Sequence, residues 1–200
     1  MLLSAEVCRL DANVPPVPDE RSGLLGFLAQ QRRVLKHAAH GLTFDELRAT
    51  PSVSALTIGG LLKHVTYTER GWTARITGGP DPTSSANYGE EFQLTEDDTL
   101  EHLFADYDRA AAETEAAVAA VDDLGHPVPV PADPWFPKDI EAWSVRWVLL
   151  HLIEETARHA GHADIIRESL DGASGLELLA AAESWPESPW LKPWRRKESV

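Results

Sequence analysis

At 200 residues with 43% hydrophobic content, the chain is long enough to bury one real core, and no second domain is needed. A formal charge of −14 and a pI near 4.9, with no Lys/Arg-rich stripe to release phosphate counterions, argue against nucleic acid as a partner. One cysteine, Cys8, excludes an intramolecular disulfide, no apolar run approaches the ~20 residues of a membrane-spanning helix, and the amino terminus lacks the marks of a secretory signal, so a soluble cytoplasmic protein is expected.

After a Pro-rich lead (NVPPVPDE), apolar periodicity predicts a first long helix over about residues 20–40, through Leu24, Leu25, Phe27, Leu28, Val34 and Leu35, with Gly41 just past its end. His37 and His40 fall in its last turn, where they meet the negative end of the helix. A short connection containing Pro51 leads to a second long helix over about residues 57–76, closed by Gly78-Gly79-Pro80. A polar loop (PDPTSSANYGEEFQL) separates it from a third. That helix is expected to open at Thr95 as N-cap and to reach about Val121, with His102 as a surface or packing residue. The segment 125–142 carries five prolines with Trp135 and Phe136, followed by Trp143, which predicts an ordered loop crossing the helices rather than a strand. Ser144 then caps a fourth long helix ending near Gly172.

With no internal repeat and no β-alternation, the expected fold is all-α: a four-helix bundle with long crossover loops, one domain over 1–200 with its core at about 20–172. Residues 173–200 read as a short helix and a Trp/Pro-rich C-terminal tail. There Trp185, Trp190 and Trp194 alternate with Pro186, Pro189 and Pro193. Such a tail is expected to pack its rings into surface grooves, with site lining or homodimer formation as the alternative. Arg195, Arg196 and Lys197 are too few for a nucleic-acid patch and read as a solvated end.

The fourth helix carries the chemistry. In SVRWVLLHLIEETARHAGHADIIRESLDG, His151, Glu155, His159 and His162 fall within roughly 80° of arc, on the stripe that also holds Val148, Leu152 and Ile166. Burying that much imidazole and carboxylate without partners costs several kcal/mol, so a metal ion is an economical explanation; histidines held by hydrogen bonds are the competing one. Catalytic zinc sites commonly take three ligands from His and carboxylate and leave a fourth position open. Glu155 and His159, one turn apart, can aim at a common point, and the third ligand must come from elsewhere. On the second helix (TIGGLLKHVTYTERGWTARI), His64 lies at the edge of the apolar sector of Ile58, Leu61, Val65 and Trp72. Gly60, Thr68 and Gly71 share its face, small enough for another helix to come close.

The pairing of LLKHVTYTERGW with the fourth-helix run resembles the DinB-like superfamily of bacterial four-helix proteins, most closely its actinobacterial branch of mycothiol-dependent enzymes. The resemblance covers about residues 20–172. It implies a divalent metal, zinc first and nickel or another ion as alternatives, held by His64, Glu155 and His159. Many relatives carry His at the position of Glu155, whereas the mycothiol-dependent maleylpyruvate isomerase is similar in using Glu. His162, where relatives often carry Gln, is implied to support the site, and His151 remains a spare ligand, so that a closed four-ligand site stays open. The implied activity is a thiol transferase or isomerase that uses a low-molecular-weight thiol such as mycothiol against a small electrophile. The metal would stabilise the thiolate of a thiol whose free pKa is ~8.5. Cys8 lies outside the resemblance, so the sulfur would come from the cosubstrate. Lys63, Arg70, Arg75, Arg146 and Arg158 are the cations that could hold that cosubstrate, Arg158 first; ordinary ion pairs, Glu154/Arg158 among them, are the alternative. Two rival readings stand beside this one. A metal-dependent hydrolase would need a base, and Glu154 points about 100° away on the helix. The other is a non-catalytic metal- or small-molecule-binding stress protein.

Overall fold

Side-chain caps set where the long helices begin. In the computed structural model, which describes residues 12–83, 89–134 and 136–196, α1 (Glu20–Ala38) opens with Asp19 accepting from the Ser22 N–H. Cys8, Trp135 and Lys197 lie outside the described residues. A short α2 (Phe44–Leu47), opened by a reciprocal Thr43/Glu46 cap, occupies the connection before α3 (Ile58–Thr77). Thr57 caps α3 and Gly78, at φ 65°, ends it in the left-handed conformation. A 3-10 turn at Glu90–Phe92 precedes α4 (Leu100–Ala119). Ser144 caps α5 (Val145–Asp171), Gly172 closes it, and α6 (Gly175–Ala182) follows.

Two expectations need correction. The third long helix starts at Leu100 with Thr99 as N-cap, not at Thr95. Thr95 gives both its N–H and its hydroxyl to the Asp98 carboxylate (2.7 and 2.9 Å), and Lys63 Nζ binds the same oxygen at 2.8 Å. That ion pair across to α3 holds residues 95–98 as a turn. The Pro-rich segment does contain a strand: β1 (Pro127–Pro129) pairs antiparallel with β2 (Ala142–Ser144), Val128 opposite Trp143. Val145 N–H donates to His126 O and Val130 N–H to Glu141 O, both at 3.1 Å. The hydrogen-bonded register therefore uses residues 126, 128 and 130, and Pro127 and Pro129 stand at positions that need no N–H.

The protein is mostly helical, with this two-stranded ribbon as the sheet among the described residues. Helix α1 packs along α5 and α3 along α4, while α3 also touches α5. Two large apolar clusters lie between the long helices, and a third, of Leu179, Ala180, Trp185 and Leu191, lies at α6 and the tail. Of the two large ones, one gathers Leu35, Leu47, Leu61, Leu62, Tyr107 and Ala163, and the other Leu28, Trp72, Val118, Val148, Leu149 and Leu152. Glu69 on α3, 1% exposed, pairs with Arg32 of α1 and accepts from Thr114 Oγ1 of α4 at 2.7 Å, so one buried carboxylate ties three helices together. No described helix is long and apolar enough to cross a membrane.

The tail is tied to the end of α1. Arg167 on α5 is fully buried and donates through Nη1 to the carbonyls of Ala38 and His40, both at 2.8 Å, and through Nε and Nη2 to Asp171. The Trp194 ring covers its guanidinium at 4.7 Å and its indole N–H reaches Asp171 Oδ2 at 3.2 Å. A side chain on Gly41 would come within 2.7 Å of that ring, and Gly41 also holds φ at 69°. Trp185 is buried as well, whereas Trp190 faces solvent at 67% exposure.

Candidate metal centre

The polar side chains that α3 and α5 bring together adjoin members of the two large apolar clusters in sequence. His64 follows Leu61 and Leu62 of one cluster, and Glu155 lies between Leu152 of the other and Ala160 of the first. His64 Nε2 and His159 Nε2 both point at Glu155 Oε1, at 3.1 and 3.2 Å. One ligand atom from each of these three residues lies within 4.8 Å of the others. The two imidazoles meet edge to face, 4.8 Å between centroids. His159 is buried, and its hydrogen bond, followed by that of His64, holds the Glu155 carboxyl well below the usual carboxylate range. Two imidazole nitrogens and an ionised carboxylate converging on one point form a donor set suited to a divalent transition metal.

The residues around the three differ from one another in kind. His162 Nδ1 lies 3.3 Å from His159 Nδ1, on the side of that ring turned away from Glu155, and burial lowers its pKa. His151 instead stacks on Trp147 (5.1 Å, 14° between planes) and meets Trp72 edge-on at 5.2 Å. Burial lowers its pKa too, and no atom of it belongs to the convergent group. The candidate cosubstrate cations are engaged with carboxylates: Lys63 with Asp98, Arg70 with Asp106, Arg75 with Asp81, Arg146 with Glu20 and Arg158 with Glu154. Glu154, 67% exposed at its side chain, faces away from the triad as its position on the helix required.

What the sequence reading missed comes from the loop. A Cβ on Gly60 would collide with the Phe92 carbonyl and one on Gly59 with the Leu94 side chain, and the nearest neighbours of Gly71 are the Arg75 and Thr83 side chains. The small residues of α3 thus admit the loop, not another helix. This close approach stacks the Phe92 ring on His64 (4.0 Å, 15°) and brings Glu91 Oε1 to 3.8 Å from His64 Nδ1. The consecutive glycines in the first turn of α3 were the available signal, because glycine weakens a helix and its lack of a side chain lets another backbone come close.

A helical scaffold with two imidazoles and one carboxylate at a single point defines a three-ligand centre able to hold a divalent metal. Residues 23–172 of the 200 match the family described as Mycothiol-S-transferase, and the chain belongs to that family. Among curated proteins no match is found.

Proposed function

We propose that the chain is a metal-dependent thiol S-transferase or isomerase using a low-molecular-weight thiol such as mycothiol, with His64, Glu155 and His159 holding a divalent ion, zinc by preference. The observation that carries this reading is the convergence of His64 Nε2 and His159 Nε2 on Glu155 Oε1 at 3.1 and 3.2 Å in a chain of this family. Three such ligands leave a tetrahedral ion one position for a group from solution. The chemistry such an ion supplies is a positive charge that keeps a thiol as its nucleophilic thiolate near neutral pH.

The chain's own residues supply the rest. Glu155 brings an ionised carboxylate, since both histidines stabilise its charged form. His162 steadies the ring of His159 from behind. Trp143 of β2 and Trp147 and His151 of α5 stack face on face at four-residue steps, the last of them one turn before Glu155. The edges of these half-buried stacked rings offer a weakly polar wall along which the body of a small electrophile could lie. In this reading the four long helices form the family's bundle, in one domain over 1–200 with its core at about 20–172.

Elemental analysis of untagged protein purified without chelator, then loss of free thiol with chlorinated or maleyl-type electrophiles and mycothiol, bacillithiol, glutathione or cysteine, tests the proposal. About one ion per chain and metal-dependent consumption of at least one thiol are expected. Metal-loaded protein that consumes no thiol but hydrolyses esters or amides would hand the site to the hydrolase reading, although Glu154, exposed and paired with Arg158 at 3.3 Å, makes a poor base for it.

A further inference from the structure

His64 Nδ1 is buried and has no hydrogen-bond partner. The carboxylate facing it belongs to Glu91, whose Oε1 stands 3.8 Å away, beyond hydrogen-bond length. Glu91 is no stray loop acid: its side chain is 11% exposed and its Oε2 accepts from the Gly89 N–H at 2.9 Å. Phe92, stacked on the His64 ring, blocks that ring from tilting out of plane toward the loop.

Neutral imidazole carries one proton, on either nitrogen. While Nε2 donates to Glu155 Oε1, Nδ1 holds a lone pair and repels the Glu91 oxygen; this accounts for both the orphaned atom and the open separation. A histidine that offers Nε2 as a ligand must carry its proton on Nδ1, and a carboxylate placed there favours that tautomer and fixes the ring. We propose that Glu91 is the positioning residue of His64, accepting the Nδ1 proton in a hydrogen bond and fixing the ring once Nε2 gives up its own proton to serve as a ligand; the proposal rests on the reading of His64, Glu155 and His159 as metal ligands. His159 has its own neighbour behind the ring, His162 of the same helix, so each imidazole of the triad is backed by a separate polar residue.

The test uses the full chain and zinc itself. Zn²⁺ affinity is measured by competition with a chromophoric chelator for wild type, Glu91→Gln, Glu91→Ala and His64→Ala, with circular dichroism as folding control. Long-range ¹H–¹⁵N spectra of the zinc-loaded proteins report which His64 nitrogen bears the proton. Glu91→Ala is expected to bind zinc about 10–100-fold more weakly, and Glu91→Gln, which keeps an acceptor oxygen, to fall between it and wild type. The Nδ1 proton of His64 is expected to be slow to exchange in wild type and to exchange rapidly in Glu91→Ala. If Glu91→Ala stays within about twofold of wild type while His64→Ala loses the metal, Glu91 has no such role and the proposed function stands. A weaker Glu91→Ala with an unchanged Nδ1 proton signal also overturns the inference, leaving Glu91 as a support of the turn alone. Wild-type protein that retains no zinc overturns both readings.

Discussion

The Nδ1 atoms of His159 and His162 lie 3.3 Å apart, while the other nitrogen of His159 faces Glu155 at 3.2 Å. Three residues apart on one helix, the two histidines hold unequal positions: one is buried and points into the convergent group, the other touches only its back. His159→Ala should nearly abolish zinc retention, whereas His162→Ala should weaken it only about 10–100-fold. Competition with a chromophoric chelator checks the order, and a His162→Ala variant that loses zinc while His159→Ala keeps it would move the ligand set by one turn.

Asp164 gives a pH prediction away from the triad. Burial, aided by the nearby Glu168 charge, pushes its carboxyl from 3.8 up to about 6, and its Oδ1 is buried without a hydrogen-bond partner. A raised carboxyl pKa means that the folded state binds the proton more tightly than the unfolded one. The associated stability is therefore full below pH ~4, fades as pH rises through 6, and is absent at pH 8. Asp164→Asn should raise stability by about 1–2 kcal/mol at pH 8 and change it little near pH 4. Urea unfolding at the two pH values decides; an equal gain at both would mean that the charge is not the cause.

The Arg32–Glu69 pair should behave as an all-or-none unit. Both side chains are buried, with Thr114 completing the set. Glu69→Ala leaves a buried guanidinium with only the longer contact to the exposed Glu115 carboxylate (3.4 Å) and should cost about 3 kcal/mol, while the double change Arg32→Met/Glu69→Leu should recover most of that loss. Denaturant midpoints of the three variants test the coupling, and additive losses would contradict it.

Gly41→Ala is expected to destabilise the protein by about 2 kcal/mol, since alanine must both take a positive φ and press on the Trp194 ring. Combining it with Trp194→Ala should cost less than the sum of the two single changes, because the collision disappears and only the backbone strain remains. Thermal unfolding of the four proteins measures the non-additivity.

The long helices were legible because their stops are local: Thr57, Ser144, Gly78 and Gly172 cap or close them as their types suggest. Two ligands were legible for the same reason on α5, where Glu155 and His159 are one turn apart; His64 of α3 stood out at the edge of an apolar sector beside small residues, the family resemblance strengthened it, and the geometry brings the three together. Choices decided by tertiary partners were not readable. Thr95 and Thr99 are both good N-caps, and the decision falls to Asp98 through Lys63, a residue of another helix. The strand hidden among prolines depends on a register that only the partner strand defines. Glu91 and Phe92 carry no periodicity at all, so their place beside His64 emerges only once the glycines of α3 let the loop settle.

Arg167 also bears on how the chain is made. The carbonyls of Ala38 and His40, at the end of α1, are satisfied by an arginine 129 and 127 positions later, and the Trp194 ring then covers that arginine. Synthesis runs from the amino terminus, so a nascent chain carries α1 with a ragged end until α5 has left the ribosome, and the arginine itself stays uncovered until the last tryptophan follows. α1 is translated well before α5 and the tail, yet its end is finished only when they arrive.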